Sequence, residues 1–137
     1  MSEAKLKGSC VCGTVQFLVD DAFKYAAYCH CSRCRRRTGS AFSAFAGIES
    51  DRLVLSAGAE HLRKLGERPE QAHGCHCALC LCPLYHVVNA GTLVHVQLGA
   101  LTDAPSKKPD HHIFVASKAP WHEISDELPQ WAGLPLG

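Results

Sequence analysis

Cys29-His30-Cys31-Ser32-Arg33-Cys34, continued at once by Arg35-Arg36-Arg37-Thr38-Gly39, decides how this chain is read. Three thiols fall within six residues, beside a dense run of positive charge. In a β-strand, residues two apart share a face and lie about 6.6 Å apart. Cys29 and Cys31 therefore aim at one point, and His30 aims the other way. A turn through Ser32 and Arg33 brings Cys34 back to that point. Three thiolates converging on one ion suit Zn²⁺, which takes Cys sulfur at about 2.3 Å in tetrahedral geometry. No fourth Cys lies nearby in sequence. A fourth position left open is what separates a catalytic zinc from a structural one.

Working outward, the nine cysteines fall into three groups. Besides the central one there are Cys10-Val11-Cys12-Gly13 and Cys75-His76-Cys77-Ala78-Leu79-Cys80-Leu81-Cys82. A Cys-x-Cys pair far from a Cys-x-x-Cys pair makes four ligands. Cys10, Cys12, Cys77 and Cys80 are assigned to a closed, structural zinc that pins an N-terminal hairpin to a distant one. Such a site contributes folding energy, because the unfolded chain has no assembled ligand set. Cys75 and Cys82 stay unassigned, as spare thiols or as alternative ligands. Buried free thiol, packed as a small hydrophobe, is the other reading of these groups.

The whole chain, 1–137, is read as one domain, 47% hydrophobic and 20% charged, with a formal charge of +1. That balance gives no pull toward nucleic acid or membrane. No stretch approaches the ~20 apolar residues of a membrane span. The first residues contain no apolar run of signal-peptide type, which predicts a cytoplasmic, reducing location. Clustered cysteines there read as metal or redox sites rather than disulfides.

The fold class is all-β. A hairpin is predicted over 5–19, with its turn at Val11–Gly13. Further strands are expected at Phe23–Cys29, Ser40–Ala46, Leu53–Leu55, His61–Leu65, Leu84–Val88, Thr92–Leu98 and Ile113–Ala116. Ser32–Arg37 reads as one short helical turn ended by Gly39. Ile48–Asp51 is expected as a turn, Gly66–Gln71 as a mobile loop, and Asp103–Asp110 as a loop. Prolines exclude a long helix from 120–137, which is read as an extended strap.

Three anionic sulfurs make a zinc a weak Lewis acid, poor at ionising water but suited to an exogenous thiolate. Coordination deprotonates a thiol outright. Arg33, Arg35, Arg36 and Arg37 can neutralise this site and grip a carboxylate in bidentate fashion. A small thiol with carboxylates, such as glutathione, matches both features. A solvated charged turn is the alternative for any single arginine. His95 and His112 lie in β segments and can face a cleft, or can serve as structural histidines.

The chain resembles the glutathione-dependent formaldehyde-activating enzymes, whose domain is shared with centromere protein V. The resemblance runs from Gly8 to Gln130. It is carried by Gly8-Ser9-Cys10-Val11-Cys12-Gly13-Thr14-Val15, Cys29-His30-Cys31-Ser32-Arg33-Cys34-Arg35 and Thr38-Gly39-Ser40. Further matches are Cys77-Ala78-Leu79-Cys80 with Pro83-Leu84-Tyr85, Gly91-Thr92-Leu93, and His112-Ile113-Phe114-Val115 leading to Ser117-Lys118-Ala119-Pro120-Trp121. It implies a β-tent type fold of small antiparallel sheets with zinc knuckles. It also implies a structural zinc on Cys10, Cys12, Cys77 and Cys80 and a catalytic zinc on Cys29, Cys31 and Cys34. The implied activity is that of a carbon–sulfur lyase joining glutathione and formaldehyde. On the reading of the residues themselves, Arg33 and Arg35 would hold the thiol's carboxylates and His112 would carry the proton. The chain departs from the family around its third cysteine group. His76 stands for an aromatic, Leu81 for a glycine and Cys82 for a small polar residue, and Cys75 is an added thiol. Leu at a position that favours φ > 0 costs energy. Two other readings stand beside the enzyme: a non-catalytic, zinc-stabilised interaction module, and a thiol redox protein using Cys75 or Cys82.

Overall fold

A computed structural model describes residues 4–68 and 70–135, apart from the side chains at 67 and 68. The elements in chain order are β1 (Lys5–Ser9), β2 (Gln16–Asp20), β3 (Tyr25–Cys29), α1 (Ser32–Thr38), β4 (Ser43–Glu49), β5 (Leu53–Ala57), β6 (Leu62–Arg68), β7 (Ala72–Cys77), β8 (Pro83–Val88), β9 (Leu93–Gln97) and β10 (His112–Ile113). Strands β1-β2-β5 form a small sheet, and β10-β3-β4-β9-β8-β7-β6 a larger one. The all-β expectation holds. Pairing is antiparallel except between β10 and β3.

Alternation of side chains along each strand builds the core. In β2, Phe17 and Val19 turn inward while Gln16 is exposed. Phe17, Ile48, Leu84 and Val96 are fully buried in one cluster. Each contributes on the order of 2 kcal/mol by leaving water. A second, smaller cluster joins Ala27, Cys29, Phe45 and Ile113, with Cys31, Cys34, Phe114 and Trp131 at its margin. It is the apolar floor of the central cysteine group.

Several boundaries differ from the sequence reading, each for a tertiary reason. Ile48 and Glu49 belong to β4 rather than to a turn, because they pair with Val94 and Leu93 of β9. The bend follows at Ser50–Arg52. Much of the expected Gly66–Gln71 loop is strand, since β6 reaches Arg68 and pairs it with Ala72; position 69 lies outside the described residues. β10 stops at Ile113, because Phe114 takes a left-handed φ of 56°. The helical turn is a full seven-residue helix. Among the described residues after Pro120 no helix or strand forms, and Gln130 makes an isolated bridge to His112.

Candidate metal centres

Two groups of cysteine sulfurs converge. Cys10, Cys12, Cys77 and Cys80 bring their Sγ atoms within 4.8 Å of one another, and so do Cys29, Cys31 and Cys34.

The first group is assembled by two knuckles. Between β1 and β2 the chain turns through Gly13 at φ 80°, and Val15 N–H donates to Cys10 Sγ at 3.3 Å. Between β7 and β8, the Leu79 and Cys80 amides donate to Cys77 Sγ at 3.4 and 3.5 Å. Cys10 Sγ lies 3.6 Å from Cys12 Sγ, which lies 3.8 Å from Cys77 Sγ. A tetrahedron of sulfurs about 2.3 Å from zinc has edges of about 3.8 Å, so the spacing fits the ion. Amide N–H groups of Cys12 and then Cys82 hold the Cys80 thiol down to about 6. Leu81 carries the strain expected of it, with φ 64°.

The second group is local. Cys29 ends β3, and Cys31 is the N-cap of α1, in extended conformation at φ −65°, ψ 154°. Its sulfur accepts from Cys34 N–H at 3.3 Å, which folds Cys34 back over the pair. α1 ends in left-handed Gly39, and Arg35, Arg36 and Arg37 sit in its last turn, where the helix dipole favours cations. A hydrogen bond from Cys34 lowers the Cys29 thiol to about 6, and the Arg37 charge also favours its thiolate. The same bond, with burial, pushes Cys34 up. Among the described residues no fourth His, Cys, Asp or Glu joins this group. Three sulfurs at this separation, with thiolate character and cationic neighbours, suit a thiophilic divalent ion.

Arg33, Arg36 and Arg37 line a cleft of about 700 Å³ against β6 and β7, with Gly74, His76 and His86 opposite. Arg35 does not line it; its Nε is buried without a partner. Of the four arginines expected to hold carboxylates, Arg33, Arg36 and Arg37 share one side of the helix, at i, i+3 and i+4. His86, pushed down to about 4 by burial and then by Arg37, faces this cleft as a neutral imidazole. No signal in the sequence singled out His76 or His86 as cleft residues, because β7, β8 and α1 meet only in the folded chain.

His112 is not gathered with the three sulfurs. Ile113 packs beside Cys29, so its strand neighbour His112 faces the opposite side. There it meets His30, which, as expected, points away from the sulfurs. His95 lies against Tyr25, with Nε2 2.7 Å from the phenol oxygen, and is also held low, at about 4, by burial. Cys75 is buried against Tyr85, and Cys82 points toward Pro83 O at 3.5 Å; neither joins a sulfur group.

A family model described as glutathione-dependent formaldehyde-activating enzyme matches residues 5–117. This chain belongs to that family. The family match spans both sulfur groups and the arginine helix between them. Among solved structures, the chain is similar to a crystal structure of a Rhodobacter sphaeroides protein. Identity is 26%, the TM-score 0.60, and the match covers 75% of this chain and 97% of that one. No curated protein matches. Among the described residues, no helix is long and apolar enough to cross a membrane.

Proposed function

We propose that the protein is a zinc-dependent carbon–sulfur lyase that joins glutathione, or a closely similar acidic thiol, to an aldehyde. The observation that carries this reading is the three-sulfur group at the head of the helix whose arginines line a cleft. Zinc held by Cys29, Cys31 and Cys34 would supply one thing, the deprotonation of a thiol at its fourth position. Arg33, Arg36 and Arg37 bind the substrate's carboxylates, where planar guanidinium forks give direction as well as charge. That fixes the sulfur at the mouth of the cleft and orients it for the aldehyde carbon. In the reaction the sulfur's electron pair forms a new S–C bond. The C=O π pair moves to oxygen, and that oxygen takes up the proton the thiol gave away. The product is a hydroxymethyl thioether such as S-(hydroxymethyl)glutathione.

Cys10, Cys12, Cys77 and Cys80 hold a second zinc with a structural role. Nine thiols, none in a disulfide, favour a reducing compartment such as the cytoplasm. The competing reading, a zinc-stabilised interaction module, draws on Val11, Leu79 and Leu81, all exposed on the knuckles of the four-sulfur site.

Metal analysis joined to glutathione titration tests the enzyme. Two zincs per chain are expected, with glutathione altering the absorbance of a cobalt-substituted three-sulfur site and hydroxymethylglutathione forming in the presence of formaldehyde. Cys31→Ala should lose one zinc and the activity while keeping the fold. Two stoichiometric zincs with no response to any thiol would favour the module.

A further inference from the structure

Behind the three-sulfur group lies a chain of polar groups that runs from two buried histidines out to a solvent-exposed carboxylate. His30 and His112 are 0% and 2% exposed. His30 Nε2 lies 2.8 Å from His112 Nδ1. His112 Nε2 in turn lies 3.0 Å from both carboxylate oxygens of Asp126. Two imidazoles fully inside a small protein are a costly arrangement unless their hydrogen bonds do something.

Asp126 is well placed to order the whole chain. Leu128 N–H, then His112, holds its carboxyl below the usual carboxylate range, so it is an anion. An ionised carboxylate only accepts, so His112 Nε2 carries the hydrogen. The other nitrogen, Nδ1, is the one that meets His30 Nε2. One carboxylate therefore sets the ring planes of two histidines in series.

The backbone closes the same connection. His30 N–H donates to Ile113 O at 3.0 Å, His112 N–H donates to Pro129 O at 2.9 Å, and Trp131 N–H donates to His112 O at 2.9 Å. The His30 ring is further packed by Phe42 and His122, with centroids 5.3 and 6.1 Å away. His30 sits between Cys29 and Cys31, the two residues whose sulfurs must aim at one point. Rotation of that segment would turn both sulfurs at once. Asp126 and His122 come from the C-terminal strap, beyond the residues 5–117 that the family model matches.

We infer that Asp126, acting through His112 and His30, is a positioning residue for the three-sulfur metal site: the strap locks the Cys29–Cys31 segment in its ligating orientation. This rests on the metal-site reading above. Asp126 touches neither sulfur nor substrate. Its contribution is of the kind that outer partners make to metal ligands, whose loss weakens binding by about 10- to 100-fold.

The test is zinc release from the zinc-loaded full chain to a chromogenic chelator, counted in equivalents. In Asp126→Ala one of two zincs should leave at least about tenfold more readily, and the other should hold as in the parent protein. Asp126→Asn, which keeps an oxygen acceptor but loses the charge, should fall between the two. A strap that merely stabilises the fold would lower the melting temperature and loosen both zincs or neither, and either pattern overturns the inference. Should Asp126→Ala fail to fold, Asp126→Asn decides alone: selective weakening of one zinc supports it, and parent-like retention of both overturns it. A parent protein with a single zinc per chain overturns the metal-site reading and this inference together. Two zincs in the parent and two equally held in the variants sink only the inference.

Discussion

The four-sulfur and three-sulfur groups use the same atoms for opposite ends. Cys10 and Cys12 meet Cys77 and Cys80 across about half the chain, so a metal there would tie two hairpins that have no covalent reason to touch. Cys29, Cys31 and Cys34 lie within six residues, on a strand end and the helix that follows it. A metal there constrains little that β3 and α1 have not already constrained. The distant group is complete and rimmed by apolar knuckles. The local group lacks a fourth protein ligand among the described residues and shares its helix with the arginines that line the cleft. The lesson is that ligand separation in sequence, as much as ligand number, divides a sulfur group that ties distant hairpins from one assembled on a single strand end and helix.

The largest way to break this comparison is Cys77→Ser. If the distant group holds the two hairpins together, the variant should lose several kcal/mol of stability, enough to unfold much of it at 37 °C. Circular dichroism melts, read beside those of Cys31→Ala, measure the contrast; equal melting temperatures would abolish it. Acid comes next, and besides competing for thiolate ligands it acts on two partly buried histidines. His86 and His95 have their pKa values lowered to about 4 by burial, and in the unfolded chain they return to about 6.5. Between those values the unfolded state binds protons that the folded state refuses. Stability present above pH 6.5 is therefore lost progressively as pH falls toward 4. Denaturant midpoints at pH 7 and pH 5 in His95→Gln and the parent should converge at the lower pH. A pH-independent difference refutes the assignment.

A smaller effect sharpens the local group. Arg37→Ala should raise KM for glutathione about tenfold, the loss of one charged carboxylate contact, and leave a neutral thiol such as 2-mercaptoethanol unaffected. Equal losses for both thiols would mean that Arg37 acts on the metal site rather than on the substrate's carboxylates. The smallest expected effect returns to the distant group. Leu81 sits at φ 64°, and Leu81→Gly should stabilise the protein by about 1 kcal/mol. A lower melting temperature would show that the exposed Leu81 side chain contributes more than its backbone strain costs.

Much of both groups was legible before any fold was known. Close spacing sets which sulfurs share a point, because a strand alternates faces and a cap turns the chain back. That is why Cys29, Cys31 and Cys34 converge as expected and His30 points away. The pairing of Cys10 and Cys12 with Cys77 and Cys80 was likewise read from their types and spacings. The face that His112 takes depends on the register of β10 against β3, which local pattern does not encode. Arg35 was preferred to Arg36 and Arg37 for want of knowing which side of α1 meets β7.

By itself, then, the sequence determined which cysteines converge in each group, the turn chemistry within each knuckle and the all-β class, since residue type and close spacing carry them. Only the tertiary structure decided which arginines share a cleft with His86, and that Asp126 reaches His30 through His112. Those arrangements join segments far apart in the chain, and the burial and hydrogen bonds that set them exist only once the sheets have packed.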